Sequence, residues 1–182
     1  YNLFFEKHAP LIDRDLRFEI MERIDSQGAV LIPLDEEQVL AVARNAASQG
    51  VQAIAILFLH SYRNPAHEQR AKAIVEREFP GLFVTASHEL SQEYREYERT
   101  STTALNAYVA PRMRRYLGDL RSKLAEAGMA APLAIMTSNG GSLPAPRVEA
   151  MPVLSMLSGP AAGVIAAAHV GSAAGYPDLI TC

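Results

Sequence analysis

Four consecutive small or polar residues, Ser138, Asn139, Gly140 and Gly141, have the chemistry to face a ligand. They follow the apolar run of residues 132–137, which predicts a short buried strand. Open α/β sheets bind ligands where such strands end. Two glycines allow positive φ, so backbone amides can point at an anion, while the Asn139 amide can bond a substrate or hold the turn. Asn-Gly is also a strong turn dipeptide by itself, so an ordinary turn without a ligand is the alternative interpretation.

A second candidate stretch lies inside a helical pattern and consists of Arg99, Thr100, Ser101 and Thr102. Hydroxyl and β-branched side chains have poor helix propensity, so their presence there calls for an explanation. One hypothesis is that the hydroxyls and Arg99 line a polar ligand or a wet interface between lobes. The other is structural: Glu96 pairs with Arg99 at i,i+3, and the small hydroxyls pack where space is tight.

Metal chemistry is a further possibility, since four nearby side chains can ligate an ion: His60, Tyr62, His67 and Glu68. Adjacent helical residues diverge by about 100°, so His67 and Glu68 would not both face one ion. We therefore predict no metal site and interpret these residues as anchors of a helix start.

Other reactive groups give no catalytic assignment. His88 and His169 are isolated in the sequence, and we interpret them as structural or exposed. No serine stands in a Gly-x-Ser-x-Gly elbow, and Cys182 has no histidine nearby in sequence to activate it. The catalytic residues therefore stay unassigned.

The elements that must position these residues alternate between strand and helix patterns, which predicts an α/β fold. Asp35 caps the first helix, with Gln38 in the reciprocal position of a capping box. A long helical pattern then runs over residues 91–127, and Pro111 predicts a kink there or a break into two helices. The predicted strands cover residues 17–23 and 29–33, which form a hairpin, and residues 53–59 and 82–86. The predicted segments are a connector (1–16), an α/β subdomain (17–90), a long kinked helix or helix pair (91–130) and a last part (131–182), with the boundary at 127–131.

The last part contains a helix built almost entirely from small residues, residues 158–168. Ser158 can cap it and Pro160 suits its first turn. Gly163 costs about 1 kcal/mol against alanine in a helix interior, so we expect it to serve a close backbone contact. We assign Gly159, Pro160 and Gly163 to a hinge. A further strand is predicted from Asp178 onward.

Composition excludes several classes of protein. The 182 residues carry 17 basic and 20 acidic side chains, a net charge of −3, which offers no footprint for nucleic acid or an anionic membrane. No apolar run approaches the roughly 18 to 20 residues that span a bilayer. A single cysteine excludes an internal disulfide framework and fits a reducing, cytoplasmic setting. The chain does not start with methionine, and we expect it to be an internal fragment of a longer protein.

Several stretches together resemble one family. The order of strand, Ser-Asn-Gly-Gly turn, short segment, Ser-Gly-Pro-Ala-Ala-Gly helix and strand resembles the A-type subunit of the hydantoinase and 5-oxoprolinase family. HSYRNPAHE at residues 60–68 and EYERTSTTALNAYV at residues 96–109 agree with it, and the match covers nearly the whole chain. More distantly, the small-residue helix resembles the first connecting helix of the actin and heat-shock chaperone ATPases. The resemblance implies that residues 131–182 belong to an actin-like, ribonuclease-H-like ATPase lobe.

The resemblance also implies an activity, which is ATP-dependent hydrolysis of a small cyclic amide. The A-type part would phosphorylate the amide oxygen, and a B-type subunit or domain would help to hydrolyse the activated ring. ATP and Mg²⁺ are implied for the full-length protein, with one phosphate loop upstream and one beyond Cys182. We therefore expect the fragment alone to bind no cofactor and to have no ATPase activity. A homo-oligomer stays open.

Two other functions remain open at this point. An acetone-carboxylase-type subunit shares these features and also uses ATP to activate its substrate. A non-enzymatic assembly or regulatory module would use the alanine-rich helix as an interface. The ATPase interpretation requires this helix to pack closely against other structure, so an exposed helix would count against it.

Overall fold

The computed structural model describes residue 4 and residues 9–129, 131–176 and 178–181. The fold is mixed helix and sheet, as predicted, and it divides into two compact units, Tyr1–Tyr108 and Val109–Cys182. The division falls inside a long helix, whereas the sequence pattern placed a boundary at 127–131. Residues 1–3 and 5–8 of the predicted connector lie outside the described residues, and its end forms a 3₁₀ turn at Arg14–Leu16. None of the described helices combines the length and the apolar character that crossing a bilayer requires.

The first unit begins with the predicted hairpin, in which β1 (Arg23–Ile24) pairs antiparallel with β2 (Val30–Ile32). The Asp25 carboxylate holds the turn by accepting bonds from the amides of Gln27 and Ala29, at 2.8 and 2.9 Å. The strand predicted over residues 17–23 is mostly not part of a ladder. Its side chains nevertheless alternate between half-buried and exposed, as the sequence alternation indicates.

The centre of the first unit is a parallel pair of strands with a helical crossover. β3 (Ala53–Ile56) pairs in register with β4 (Phe83–Ala86), and α2 (Ala66–Glu78) connects them. All four residues of β4 are buried, as expected for a strand covered on both faces. Together with α1 (Glu36–Ser48), these elements enclose an apolar core formed by Val39, Ala43, Ile56, Ala71, Ile74, Val75, Val84 and Ala86.

The start of α1 confirms one half of the predicted capping box and corrects the other. The Asp35 carboxylate accepts a bond from the Gln38 amide at 2.9 Å, as expected of an N-cap. The Gln38 side chain does not return to Asp35. Its Oε1 accepts from the Met21 amide at 2.6 Å, because the Asp35 amide already donates to the Met21 carbonyl at 2.9 Å. The cap therefore joins α1 to the segment before the hairpin.

An exposed ion pair also joins α1 to α2. The Arg70 guanidinium donates to both carboxylate oxygens of Glu36, at 2.8 and 2.6 Å. This hydrogen bond is the main reason that the pKa of Glu36 is lowered, and it raises the pKa of Arg70. Both side chains are about half exposed, so solvent screens the pair and it adds little to stability.

After the short α3 (Ser87–Leu90), α4 (Glu96–Glu126) runs through Pro111 as one helix, so the chain does not break into two helices there. The buried face of α4 only partly agrees with the one that large side chains spaced by three or four over residues 91–127 predict. Leu117 is buried, as this spacing predicts, but four tyrosines of the same spacing are more than half exposed: Tyr94, Tyr97, Tyr108 and Tyr116. The other buried positions are Arg99, Thr103, Asn106, Ala107 and Ala110. The period was correct, but the buried stripe begins with polar residues.

The second unit contains an antiparallel hairpin of β5 (Ala134–Met136) and β6 (Ser142–Pro144). α5 (Ala145–Ala150), a 3₁₀ turn at Pro152–Ser155 and α6 (Ser158–Ala173) follow. The strand predicted within residues 132–137 is present as β5, but the prediction that it is buried was wrong, because two of its three residues are exposed. Residues 178–181 form no strand, and Cys182 lies outside the described residues.

Candidate functional site

The nine residues at 60–68 connect most elements of the first unit. The His60 carbonyl accepts bonds from the amides of Arg63 and Asn64, at 2.9 and 3.1 Å. His60, the first residue of this tight turn, has a left-handed backbone with a φ of 60°. Non-glycine residues adopt that conformation uncommonly, so the surrounding contacts must hold it.

Asn64 fastens this turn to two neighbouring elements. Its side-chain amide donates to the Gly28 carbonyl at 2.8 Å, in the turn between β1 and β2. Its side-chain oxygen accepts from the Ala66 amide at 3.1 Å and so caps α2. The predicted start of a helix at residues 64–65 is confirmed. One side chain therefore fixes both the hairpin and the crossover helix.

Glu68 is fully buried, and its carboxylate accepts four hydrogen bonds. Oε1 accepts from the Phe58 amide at 2.9 Å and from the Ser87 hydroxyl at 2.6 Å. Oε2 accepts from the His88 amide at 3.0 Å and lies 2.8 Å from His88 Nδ1. The Ser61 hydroxyl lies 3.0 Å from that of Ser87. Glu68 thus ties α2 to the loop that follows β3 and to the start of α3, which follows β4.

His67 points to a different partner, as the geometry of a helix predicts for adjacent residues. Its Nδ1 lies 2.8 Å from a carboxylate oxygen of Glu22. Across residues 9–129, 131–176 and 178–181, no group of three His, Cys, Asp or Glu side chains is placed to hold a metal ion. The side chains of His67 and Glu68 have structural partners, consistent with helix-start anchoring.

Arg99 is also buried, with 2% of its surface exposed. Its Nη2 donates to the Phe58 carbonyl at 2.7 Å and its Nη1 to the Glu93 carbonyl at 3.0 Å. The guanidinium carbon lies 5.7 Å from the centre of the Tyr62 ring. Its Nε is buried and has no hydrogen-bond partner among the described residues.

The structural hypothesis for residues 99–102 was partly wrong, because the ion pair on this turn joins Arg95 and Glu98 at 3.2 Å rather than Glu96 and Arg99. The pKa of Glu98 is lowered, mainly by a backbone hydrogen bond and then by Arg95. The Thr102 hydroxyl donates to the Glu98 carbonyl at 3.0 Å. Thr100 is exposed and Ser101 is half-buried. Of the four predicted residues, Arg99 alone is buried, beside the end of β3.

The other predicted set, Ser138 to Gly141, forms the turn of the β5–β6 hairpin and is described separately because it belongs to the second unit. The Asn139 side-chain oxygen accepts bonds from the Gly141 amide and the Thr137 hydroxyl. The Gly140 amide donates to the Thr137 carbonyl at 3.0 Å, and the Ser138 amide donates to the Leu154 carbonyl at 2.8 Å. Three amides of the turn are therefore used within the chain, which does not fit a phosphate cradle.

The antiparallel return of β6 explains this outcome, since the turn does not lie at the end of a parallel strand. Gly140 has a φ of 84°, and a Cβ there would collide with the Ile165 side chain of α6. The glycine is thus required by the turn itself and by the helix beside it.

α6 has no buried residue among those described. A Cβ at Gly159 or Gly163 would meet nothing within 4 Å, so the expected close contact is not made by this part of the chain. The cap prediction was also wrong: the helix begins at Ser158, and Leu157 precedes it with a φ of 60° and no side-chain cap bond. The exposure of α6 therefore gives no support to the ATPase hypothesis. The hinge role of α6 stays a prediction.

Comparison with known proteins decides the family. The model of the hydantoinase/oxoprolinase N-terminal region matches residues 1–79, and the hydantoinase/oxoprolinase model matches residues 99–182. The chain belongs to the hydantoinase/oxoprolinase family. The resemblance inferred from the sequence motifs is thus confirmed.

Three relatives show the range of this family. The chain is 41% identical to the caprolactamase alpha subunit of Pseudomonas jessenii over 181 residues, covering 100% of this chain and 26% of that one. It is 33% identical to 5-oxoprolinase of Saccharomyces cerevisiae, covering 72% of this chain and 10% of that one. A nucleotide-free structure of acetone carboxylase has a TM-score of 0.82 at 31% identity, covering 93% of this chain and 24% of that one. The crystal structure of the ATP-dependent caprolactamase from Pseudomonas jessenii has a TM-score of 0.81 at 38% identity, covering 96% of this chain and 25% of that one.

The chain thus spans about a quarter of the length of caprolactamase alpha and the acetone carboxylase chain. Members of the hydantoinase/oxoprolinase family include ATP-dependent enzymes and proteins named as subunits of larger enzymes. Conclusions about activity, substrate and partner therefore concern a longer protein.

Sequence reasoning missed the central role of Glu68 and misjudged that of Arg99. The sequence contained an indication of both roles, because each charged residue has the helical spacing of residues that are buried. Glu68 precedes Ala71 and Val75 at i+3 and i+7, and Arg99 precedes Thr103 and Asn106 at i+4 and i+7. A charged residue at such a position is rarely buried unless it has a partner, and this rule could have drawn attention to both.

Proposed function

We propose that this chain is part of the ATP-dependent A-type subunit of an enzyme that hydrolyses a small cyclic amide. The observation that carries the proposal is the 41% identity to caprolactamase alpha along the whole chain, together with the matching fold. An unstrained amide is a poor electrophile, and ATP would supply a phosphoryl group that turns the amide oxygen into a leaving group. A B-type partner would complete the hydrolysis.

Within that enzyme, the described residues have a supporting task. The buried Glu68 and Arg99 hold the loop after β3, and Glu68 also holds the start of α3 after β4; the ends of such parallel strands are the positions where open sheets bind ligands. ATP and Mg²⁺ stay proposed cofactors of the full-length protein. Because the amides of the Ser138–Gly141 turn are already bonded, we assign the phosphate-binding groups to segments outside residues 1–182. An actin-like lobe around residues 131–182 and a cytoplasmic location are further parts of the proposal.

The test uses the full-length protein together with its B-type partner. Phosphate release from ATP is measured with caprolactam, 5-oxoproline, hydantoin, or acetone with bicarbonate, and the organic product is identified by mass spectrometry. We expect one of the cyclic amides to accelerate phosphate release and to give the ring-opened acid. The polypeptide 1–182 alone should release no phosphate above background, and turnover by it would contradict our assignment of the phosphate-binding groups.

The similarity to acetone carboxylase favours a second candidate, an ATP-dependent carboxylase subunit. Acceleration by acetone with bicarbonate, with a carboxylated product and no response to cyclic amides, would establish it instead. If no substrate accelerated ATP hydrolysis, both enzymatic proposals would fail, and an assembly or regulatory module would remain.

A further inference from the structure

Arg99 is a buried cation without an acidic partner. It is 2% exposed, and none of the ion pairs among the described residues joins it to a carboxylate. Buried charges are costly unless they are paired and hydrogen-bonded, and proteins pair them almost without exception. Two backbone carbonyls and one aromatic face compensate only part of its charge.

The guanidinium also has an unused donor. An arginine side chain carries five N–H groups in a planar fork that matches an oxyanion. The contacts to Phe58 and Glu93 use Nη2 and Nη1, and they hold the fork in one orientation. The buried Nε has no acceptor. A group with two or three acceptor oxygens would satisfy this donor and neutralise the charge.

His60 and Tyr62 are the parts of this cluster that solvent reaches, since both are half-buried. The Tyr62 ring lies against the guanidinium, and its hydroxyl lies 3.5 Å from His60 Nδ1. That distance is at the long end for a hydrogen bond, so both groups retain capacity to bond a ligand. The contacts of this loop hold His60 in its uncommon left-handed backbone conformation.

The loop is fixed before any ligand arrives. The Phe58 amide donates to Glu68 and the Phe58 carbonyl accepts from Arg99, so its main chain is held from both sides. The loop follows directly after β3, at the carboxyl end of the parallel pair, where open α/β folds bind ligands.

We propose that Arg99, Tyr62 and His60 form a binding site for a small oxyanion, either a carboxylate or a phosphate group. Arg99 supplies the charge and the Nε donor, while the half-buried Tyr62 and His60 supply further hydrogen bonds. The site lies in the first unit and does not depend on the proposed hydrolase activity.

The test measures anion binding to the full-length protein without nucleotide. Acetate and inorganic phosphate are titrated calorimetrically at constant ionic strength, with chloride as the reference anion. Binding of acetate but not of phosphate would identify a carboxylate as the ligand. Binding of phosphate but not of acetate would identify a phosphate group. We expect Arg99→Met to weaken the preferred anion at least tenfold and Tyr62→Phe to weaken it less.

The matched control is Arg95→Met, which removes an exposed arginine immediately before the first residue of α4 and should leave binding unchanged. If Arg99→Met does not fold, Arg99→Lys keeps the charge but loses the fork, and it should still lower affinity. Absence of binding by the wild-type protein would overturn the proposal. Equal binding by wild type and every variant of Arg99 would do the same, as would a full-length structure with a protein carboxylate on Nε.

Because ATP is absent from these titrations, their outcome is separate from that of the hydrolase assay. A protein that binds acetate through Arg99 but hydrolyses no ATP would keep this inference and reject the proposed function. The opposite result would reject this inference alone.

Discussion

Glu68 places its carboxylate in the interior of the first unit, where it accepts bonds from the loop after β3 and from the start of α3. Such a carboxylate specifies the position of both segments, because any shift leaves a buried donor unpaired. Among the described residues, no helix or strand lies between β3 and α2, and α3 has only four residues, so this one side chain does much to define where both segments lie. Sequence patterns based on apolar residues cannot reveal that role.

Replacing Glu68 by glutamine should therefore be destabilising. The new amide nitrogen would face the backbone amide of either Phe58 or His88, and neither amide can change its direction. We expect a loss of about 2 kcal/mol, the usual cost of an unpaired buried donor. Chemical denaturation of the full-length protein measures it. Glu76→Gln, an exposed change on the same helix, should alter stability by less than about 0.5 kcal/mol; equal effects of the two changes would refute the role of Glu68.

Gly140 gives a second test at the residue scale, since its φ of 84° disfavours any side chain. Gly140→Ala should lower stability by about 1–2 kcal/mol from backbone strain, with a further contribution from the Ile165 contact. Gly141→Ala is the matched control, because the nearest atom would lie at an ordinary 3.5 Å and its φ is not positive. Thermal unfolding of both variants distinguishes strain at one position from a general need for glycine.

Among the elements, α4 shows both what periodicity predicts and what it cannot. The helix and its period follow from the sequence, as do the α1 cap and the β3–α2–β4 crossover. The buried face of α4 was misplaced because its first members, Arg99, Thr103 and Asn106, are polar. Each has a hydrogen bond that the sequence does not show, for example from Asn106 to the Thr85 hydroxyl at 3.1 Å. Burial of polar groups depends on such partners, and those of Arg99 and Asn106 include groups on distant segments.

The same helix offers a stabilising change at Gly118. Nothing lies within 4 Å of a Cβ at this position, and its φ is not left-handed. Gly118→Ala should therefore raise the stability by about 0.5–1 kcal/mol, the difference in helix propensity. Gly128→Ala, just past the end of the helix with a φ of 76°, should lower it instead. A loss at Gly118 in the full-length protein would mean that another segment packs there.

For the molecule as a whole, the sequence motifs predicted the family, while neighbouring structure decided much of the rest. The apolar run at 132–137 indicated a strand but not its partner, so the antiparallel return through Ser142–Pro144 was not foreseen. In the same way, the small residues of α6 indicate a contact without indicating what makes it. The chain spans about a quarter of caprolactamase alpha, so the structure leaves this contact untested.

Gly163 tests the contact directly. In the described structure a Cβ at this position meets no atom within 4 Å, so we expect residues 1–182 carrying Gly163→Leu to fold as before, which far-ultraviolet circular dichroism can check. In the full-length enzyme we expect Gly163→Leu to reduce kcat at least tenfold, because the hinge can no longer close. Ala168→Leu, also exposed on α6, serves as the comparison. Unchanged kinetics for Gly163→Leu would remove the hinge role.

The β2 strand has a practical consequence for anyone who prepares this polypeptide by itself. Val30, Leu31 and Ile32 are all exposed, and β1 is the neighbour that β2 has among the described residues. An uncovered apolar edge of this kind invites pairing between copies. Samples should therefore form dimers or larger species as the protein concentration rises. Leu31→Lys should reduce this association.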